Sequence, residues 1–95
     1  MFYHASPVSN MSSIIKNGIS AVSKKIYLSP TPEDAVYAAS QWHGDKEFAV
    51  FTVAVDNLDL TGFNIGCDGR DNMVIYGIKT IPPKNLKFLR NLKRL

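Results

Sequence analysis

Residues 47–55, EFAVFTVAV, form the most strand-like stretch of this 95-residue chain. Alternation puts Phe48 and Val50 on one face of the strand, and the opposite face carries Phe51. Both faces are therefore largely apolar. Strands of this kind lie inside a sheet, because a strand with one solvated face keeps that face polar. We expect residues 47–55 at the centre of the sheet.

The segment before this strand, residues 31–43 with sequence TPEDAVYAASQWH, predicts the best helix of the chain. Thr31 is a suitable N-cap, and Pro32 suits the first helical position. Gly44 supplies a stop. Alanines share one face of this helix with Trp42, which we expect to anchor the core.

A shorter helix is predicted at residues 9–18, where apolar side chains recur at helical spacing. Ser9 or Asn10 would cap its start, and Gly18 would end it. The aromatic and apolar residues 1–5 before it predict a first strand.

Strands dominate the rest of the chain. Residues 24–29 and 73–81 are rich in β-branched and aromatic residues and predict strands, and the glycine-rich stretch 56–72, directly before the second of them, predicts a loop. Leucines three apart in residues 85–95, NLKFLRNLKRL, predict a short amphipathic C-terminal helix, or a strand that becomes one. Two early helices followed mainly by strands indicate an α+β fold.

Length and composition indicate one domain over residues 1–95, with 45% hydrophobic residues. No apolar run approaches the ~20 residues of a membrane span, and the N-terminus lacks the pattern of a signal peptide. Cys67 is the only cysteine, which excludes an internal disulfide and favours a reducing, cytoplasmic setting. Cys67 and the two histidines lack the spacing of zinc ligands, so no metal site is expected.

Positive charge is concentrated at the C-terminus. Residues 84–95 contain five basic residues and no acid, while residues 1–83 sum to a formal charge of −2. We call these five residues the basic tail: Lys84, Lys87, Arg90, Lys93 and Arg94. A cationic segment of this kind can contact nucleic acid or an acidic partner, and a solvated helix face is the alternative interpretation.

Residues 24–35, KKIYLSPTPEDA, place a tyrosine and a serine where a strand ends and a helix begins. Nucleotides often bind at such junctions, because free backbone N–H groups and the helix dipole attract anions there. Ordinary strand-to-helix connections have the same composition. The segment alone leaves both interpretations open.

Four stretches, taken together, resemble the small ADP-ribosyltransferase-like domains of the His–Tyr–Glu type. They occur in the order that the family has, and they cover most of the chain: FYHASPVSNMSSIIKNGI (2–19), KIYLSPTPEDAVYAA (25–39), FAVFTVAVDNLDL (48–60) and MVIYGIKTIPPKNLKFL (73–89). The resemblance implies a split β-sheet, antiparallel or mixed, whose cleft holds NAD⁺.

The resemblance also implies roles for individual residues. His4 would hydrogen-bond the ribose on the nicotinamide side, and Tyr27 would stack on the nicotinamide ring. Ser6 and Ser29 would be additional polar contacts. Imidazole can donate and accept hydrogen bonds, and an aromatic face suits a cationic pyridinium ring. Without the resemblance, His4 and Tyr27 fit equally well as ordinary residues of half-buried strands.

The chain departs from the family at the catalytic glutamate. Aligned on the VIYG motif at residues 74–77, that position falls on Asn72, next to Asp71. Asn72 can hold a ribose hydroxyl but has no charge to oppose a developing cation. Asp71 has the charge on a side chain one methylene shorter. Asp71 and Asn72 are therefore the catalytic candidates, with Asp71 as a simple turn residue in the alternative interpretation.

Two classes of function follow from the resemblance. One is an enzyme that cleaves NAD⁺ and transfers ADP-ribose to a protein or nucleic-acid acceptor, in a phage or bacterial conflict setting. The other is a protein that has lost the chemistry and binds NAD⁺, ADP-ribose, a nucleic acid or a protein partner.

Overall fold

The computed structural model of the chain describes residues 1–21, 25–56, 58, 73–76 and 80–94. These ranges form an α+β fold whose elements are, in chain order, β1 (Phe2–Pro7), α1 (Met11–Asn17), β2 (Ile19–Ser20), β3 (Lys25–Leu28), α2 (Pro32–Ser40), β4 (Glu47–Val53), β5 (Met73–Tyr76), β6 (Thr80–Ile81) and β7 (Leu86–Lys93). The α+β class and the two helices in the N-terminal half agree with the sequence prediction. No helix within these ranges is long and apolar enough to span a membrane.

β4 lies between β1 and β7 in an antiparallel sheet, three strands wide in the described part of the chain. Phe2 is opposite Val53 on one side, and Leu86 is opposite the same residue on the other side. The predicted central position of this strand is confirmed. Its two apolar faces need this position, because each face packs against a separate layer of the fold.

The two faces of β4 belong to two hydrophobic clusters. Phe48 and Val50 face α2 and pack with Ala35, Val36, Ala39 and Ala5. The opposite face packs with α1, β2, β3 and β6 through Ala49, Phe51, Val53, Ile14, Ile19, Ile26, Leu28 and Ile81. Phe48 and Phe51 are almost completely buried. Burying a phenylalanine side chain contributes roughly 1.5–3 kcal/mol. β4 therefore contributes substantially to the stability of both clusters.

The predicted C-terminal helix is wrong, because residues 86–93 form strand β7 along the free edge of β4. The leucine spacing predicts a helix, but a β-bulge in the strand accommodates the same spacing. The pairing shifts between Val50 and Phe51, which lie opposite Arg90 and Phe88 and leave Leu89 as the extra residue. The bulge reverses the alternation, so that Leu86 packs against one hydrophobic cluster and Leu92 against the other.

The predicted strand 73–81 is two strands with different partners. Met73–Tyr76 pairs antiparallel with β3, and Thr80–Ile81 pairs antiparallel with β2. Residues 77–79 between them lie outside the described ranges. The sequence pattern showed strand propensity here but gave no sign of the change of partner.

The start of α2 and the end of α1 follow the predicted signals, but the predicted stop of α2 at Gly44 is wrong, because α2 ends at Ser40 with Gln41 as its C-cap. The Thr31 hydroxyl accepts a hydrogen bond from the backbone N–H of Asp34 at 3.1 Å, and Pro32 begins α2. Gly18 ends α1 with a φ of +87°, a conformation that favours glycine, and its N–H donates to the Ile14 carbonyl at 2.8 Å. The end of α1 and the start of α2 lie beside β1 and β3. A cavity lies where these four elements meet.

Candidate functional site

β1 and β3 meet in an isolated bridge. Tyr3 and Ser29 exchange two backbone hydrogen bonds, each 2.9 Å long, and no other pairing joins these two strands in the described ranges. A cavity of about 700 Å³ lies beside this bridge and is bounded by both strands and both helices. Its volume is within the roughly 300–1,000 Å³ typical of small-molecule sites.

His4 is held at this junction by β3. Its ring nitrogen Nδ1 donates to the backbone carbonyl of Tyr27 at 3.0 Å. A carbonyl oxygen can only accept, so Nδ1 carries the proton and Nε2 is left as a hydrogen-bond acceptor. The imidazole ring itself lines the cavity. The ring therefore presents an acceptor of fixed tautomer rather than a mobile donor.

The environment also keeps His4 uncharged. Burial lowers the pKa of His4 below its usual 6.5, and the nearby His43 lowers it further, while the hydrogen bond to Tyr27 acts in the opposite direction. Desolvation is the largest of these effects, because burial penalises the charged imidazolium. At neutral pH the site thus contains a neutral imidazole.

Both predicted serines line the same cavity. Ser29 is almost fully buried at the bridge, and Ser6 is buried near the end of β1. The side-chain amide of Asn10 donates to the Ser6 hydroxyl at 3.2 Å. Asn10 immediately precedes α1, as predicted, but its side chain makes no capping hydrogen bond to that helix. The Asn10 side chain therefore orients the Ser6 hydroxyl instead of capping α1.

Trp42 is not the core anchor that the sequence suggested. The last residue of α2 is Ser40, so Trp42 lies in the following turn and leaves the helical face that buries Ala35 and Ala39. Its side chain is 67% exposed. The indole instead contacts the ring of Tyr27, with centroids 6.1 Å apart and planes inclined by 37°. Both rings line the cavity, which gives it one aromatic side.

The four predicted binding residues His4, Ser6, Tyr27 and Ser29 thus come together around one cavity. The catalytic candidates Asp71 and Asn72 lie outside the described residues, and their role stays a prediction. Among the described carboxylates, Glu47 is exposed at the start of β4, opposite Lys93, and does not line the cavity.

The alanines that the sequence placed with Trp42 on one face of the second helix also line the cavity. Ala35, Ala38 and Ala39 present small side chains to it. Ser13 and Ser20 add hydroxyl groups at the opposite side. The alanine spacing was a usable signal, since a helix face of small residues packs closely or leaves a cleft. Nothing in the sequence pattern distinguished Ser13 or Ser20 as a cavity residue.

The lining is neutral, hydroxyl-rich and aromatic. Among the cavity residues that the structure describes, none is lysine or arginine. The described part of the chain also contains no group of three metal-ligating side chains. Such a surface suits a ligand with hydroxyl groups and a planar ring, which hydrogen bonds and stacking can hold without full charges.

Comparison of the chain with known protein families, curated proteins and solved structures finds no match.

Proposed function

We propose that the chain is a NAD⁺-binding protein of the ADP-ribosyltransferase-like type. The observation that carries this proposal is the joining of His4 to Tyr27 at the edge of the cavity. Two residues from distant parts of the sequence, each matching a family motif, share one hydrogen bond and one cavity.

The chemistry of His4 supports binding of the ribose. A neutral imidazole with its proton on Nδ1 offers Nε2 as an acceptor, and a ribose hydroxyl is a donor. Ser6 and Ser29 add hydroxyl groups beside it, which can donate and accept. A sugar has several hydroxyl groups close together, so the three side chains match its hydrogen-bonding capacity.

The ring of Tyr27 supports binding of the nicotinamide. In NAD⁺ a cationic pyridinium ring is bonded to the ribose, and it leaves as neutral nicotinamide when that bond breaks and positive charge develops on the ribose. The electron-rich face of a tyrosine attracts such a cation by about 0.5–2 kcal/mol, depending on how far water is excluded. Trp42 contacts the same ring from the rim of the cavity. Tyr27 would therefore bind the cationic ring through its face rather than its hydroxyl.

We further propose that cleavage of the nicotinamide bond is slow. The family glutamate corresponds to Asn72, and only the shorter Asp71 beside it carries a charge. The chain would then bind NAD⁺ or ADP-ribose better than it transfers ADP-ribose to a protein or nucleic-acid acceptor.

Calorimetry with NAD⁺, ADP-ribose and nicotinamide tests the binding. Wild-type protein should bind NAD⁺ with micromolar to millimolar affinity, roughly −8 to −4 kcal/mol. Tyr27→Ala should weaken binding about 2- to 30-fold through loss of the ring face, whereas Tyr27→Phe should bind almost as well as wild type. Circular dichroism of both variants controls for folding.

Two results would contradict the proposal. One is the absence of heat at millimolar NAD⁺ together with unchanged NMR shifts of His4 and Tyr27. The other is an equal loss of affinity in Tyr27→Phe and Tyr27→Ala, which would show that the hydroxyl and not the ring makes the contact.

A further inference from the structure

β7 is the outer strand of its sheet. β4 pairs with one of its sides, and no other strand pairs with it in the part of the chain that the structure describes. Every residue of β7 is exposed except Leu86 and Leu92, which are half-buried, and all residues of the basic tail are exposed. The outer side of such a strand presents backbone N–H and C=O groups with which another extended chain can pair.

The hydrogen bond at the end of β7 shows which backbone groups face outward. The N–H of Arg94 donates to the carbonyl of Lys46 in the residue before β4, at 2.7 Å. In an antiparallel pair, residues that bond to the partner strand alternate with residues whose N–H and C=O groups point away from it. Counting back from Arg94, the backbone groups of Lys93 and Asn91 therefore point away from β4.

The start of β7 leads to the same result on the other side of the bulge. The carbonyl of Asn85 accepts a hydrogen bond from the N–H of Ala54 at 2.8 Å. By the same alternation, the backbone groups of Leu86 and Phe88 point away from β4. β7 thus offers outward-facing donors and acceptors along its whole length.

The side chains of β7 differ between the two faces of the sheet. Arg90 lies 3.8 Å from Glu33 of α2, and the strand register places Lys87 on the same face. The Arg90–Glu33 pair is more than half exposed and therefore weak, so it leaves the guanidinium available. Phe88 is on the opposite face, 40% exposed, with its ring centroid 5.7 Å from that of Phe51. A strand added to this edge would meet positive charge on one face and an apolar ring on the other.

We propose that β7 binds an extended acidic segment of a partner protein as an added strand, with carboxylates beside Lys87 and Arg90 and apolar side chains beside Phe88. In binding of this kind, backbone hydrogen bonds supply affinity and alternate side chains supply specificity. The inference does not depend on NAD⁺ binding, because no described residue of β7 lines the cavity.

Two other occupants fit this edge less well. A second copy of β7 would bring basic residues together, because the strand contains Lys87, Arg90 and Lys93 and no acidic residue, and like charges across a strand pair are destabilising. A nucleic acid would match the charge, but its phosphates only accept hydrogen bonds and would leave the outward carbonyls of β7 without donors. A peptide backbone supplies both donors and acceptors.

A short labelled peptide of alternating valine and glutamate tests the proposal by fluorescence anisotropy. It should bind the wild-type protein at low salt, and its affinity should fall as salt is added. A second peptide has the same composition with the valines and glutamates in two separate blocks. It should bind about three-fold more weakly or worse, because its carboxylates would be divided between the two faces of the added strand.

Asn91→Pro tests the backbone contact without changing any charge. Proline is tolerated in an edge strand where the N–H faces outward, so pairing with β4 should be retained. Affinity for the alternating peptide should fall about ten-fold or more, because the variant lacks the outward donor and its ring blocks the approaching backbone. Asn91→Ala is the matched control, since it keeps the N–H and should bind within about two-fold of wild type.

The double variant Lys87→Gln/Arg90→Gln tests the charge and does not depend on the tolerance for proline. It should weaken binding of the alternating peptide roughly 2- to 30-fold and reduce the effect of salt. Lys16→Gln is the control, because Lys16 is an exposed lysine of α1 outside β7. If circular dichroism shows that Asn91→Pro does not fold, this double variant and the two peptides decide the question.

Three results would overturn the proposal. The first is no binding of the alternating peptide at low salt. The second is equal affinity for the two peptides, or a folded Asn91→Pro that binds like wild type, since either would leave a contact of charges alone. The third is tighter binding of an oligothymidylate that Asn91→Pro leaves unchanged, which would indicate a nucleic-acid partner.

NAD⁺ calorimetry on Asn91→Pro separates this inference from the function proposed above. The variant should bind NAD⁺ as wild type does while it loses affinity for the peptide. Peptide binding that depends on Asn91 in a protein that fails to bind NAD⁺ would support this inference and contradict only the proposed NAD⁺ site. NAD⁺ binding without peptide binding would contradict this inference alone.

Discussion

His4 shows how one residue's surroundings decide its chemistry. Its Nδ1 is committed to the Tyr27 carbonyl at 3.0 Å, and burial lowers its pKa below 6.5. A histidine with these properties functions as a neutral acceptor, not as a charged group. The same properties couple its protonation to the stability of the fold.

The stability of the protein should therefore depend on pH through His4. In the unfolded chain the imidazole takes up a proton near pH 6.5, whereas the folded protein resists protonation to a lower pH. The contribution is complete above pH 6.5 and decreases as the pH falls from there toward the folded pKa. Urea unfolding at neutral and mildly acidic pH should show this decrease in wild type, and His4→Asn should lack it.

Asparagine is the informative substitution because its amide can still donate to the Tyr27 carbonyl while it cannot titrate. His43→Asn is the matched control, since His43 is exposed and should leave most of the pH dependence in place. If His4→Asn shows the same decrease as wild type, another group titrates and the neutral His4 described above is not the cause.

At the scale of elements, Gly18 connects α1 to the core. Its φ of +87° is unfavourable for other residues, and an added Cβ would meet the backbone carbonyl of Ile81 in β6. Gly18→Ala should reduce the free energy of unfolding by at least about 1–2 kcal/mol, the usual cost of a left-handed conformation. Chemical denaturation measures this change directly.

Gly44 provides the matched control for that substitution. It has no positive φ, and nothing lies within 4 Å of the Cβ it would gain. Gly44→Ala should be neutral or stabilise the protein by up to about 1 kcal/mol, because alanine restricts the unfolded chain. Equal destabilisation by both substitutions would mean that the conformation and surroundings of Gly18 are not what make it necessary.

The elements predicted correctly are those whose signals are local. The Thr31 cap, the Gly18 stop and the two apolar faces of β4 are properties of a few neighbouring residues. β7 was mistaken for a helix because its conformation is decided by the open edge of β4, far away in sequence. The leucines are three residues apart, which resembles helical periodicity. A bulge at Leu89 lets this spacing fit a strand.

The predictions about the site differ in a similar way. His4, Ser6, Tyr27 and Ser29 were chosen from motifs and all four line one cavity, while their role in binding stays a prediction. Trp42 was misplaced because α2 ends two residues before it, and a shift of the helix end rotates a side chain from the core to the surface. Such a boundary depends on tertiary contacts that a helical pattern does not contain.

At the scale of the whole molecule, the proposed binding and the proposed catalysis use different parts of the chain. All described cavity residues lie between His4 and His43, in the first half of the sequence. The catalytic candidates Asp71 and Asn72 lie in the second half, before β5. β5 pairs with β3, the strand that carries Tyr27, so this order brings the chain back toward the cavity side. If Asp71 and Asn72 act only on the transition state, substituting them should alter turnover and leave NAD⁺ affinity nearly unchanged.

Nicotinamide release by wild type, Asp71→Asn and Asn72→Glu tests this division. We expect slow release by wild type, because a lost electrostatic partner of the developing charge costs about 10²–10³ in rate. Asp71→Asn should abolish the remaining activity while NAD⁺ affinity stays nearly unchanged, as for an interaction made only in the transition state. Asn72→Glu should raise turnover, because it restores the family carboxylate at the aligned position. Fast release by all three proteins would place the carboxylate elsewhere, and Asp68 would then be favoured over Glu47, which does not line the cavity.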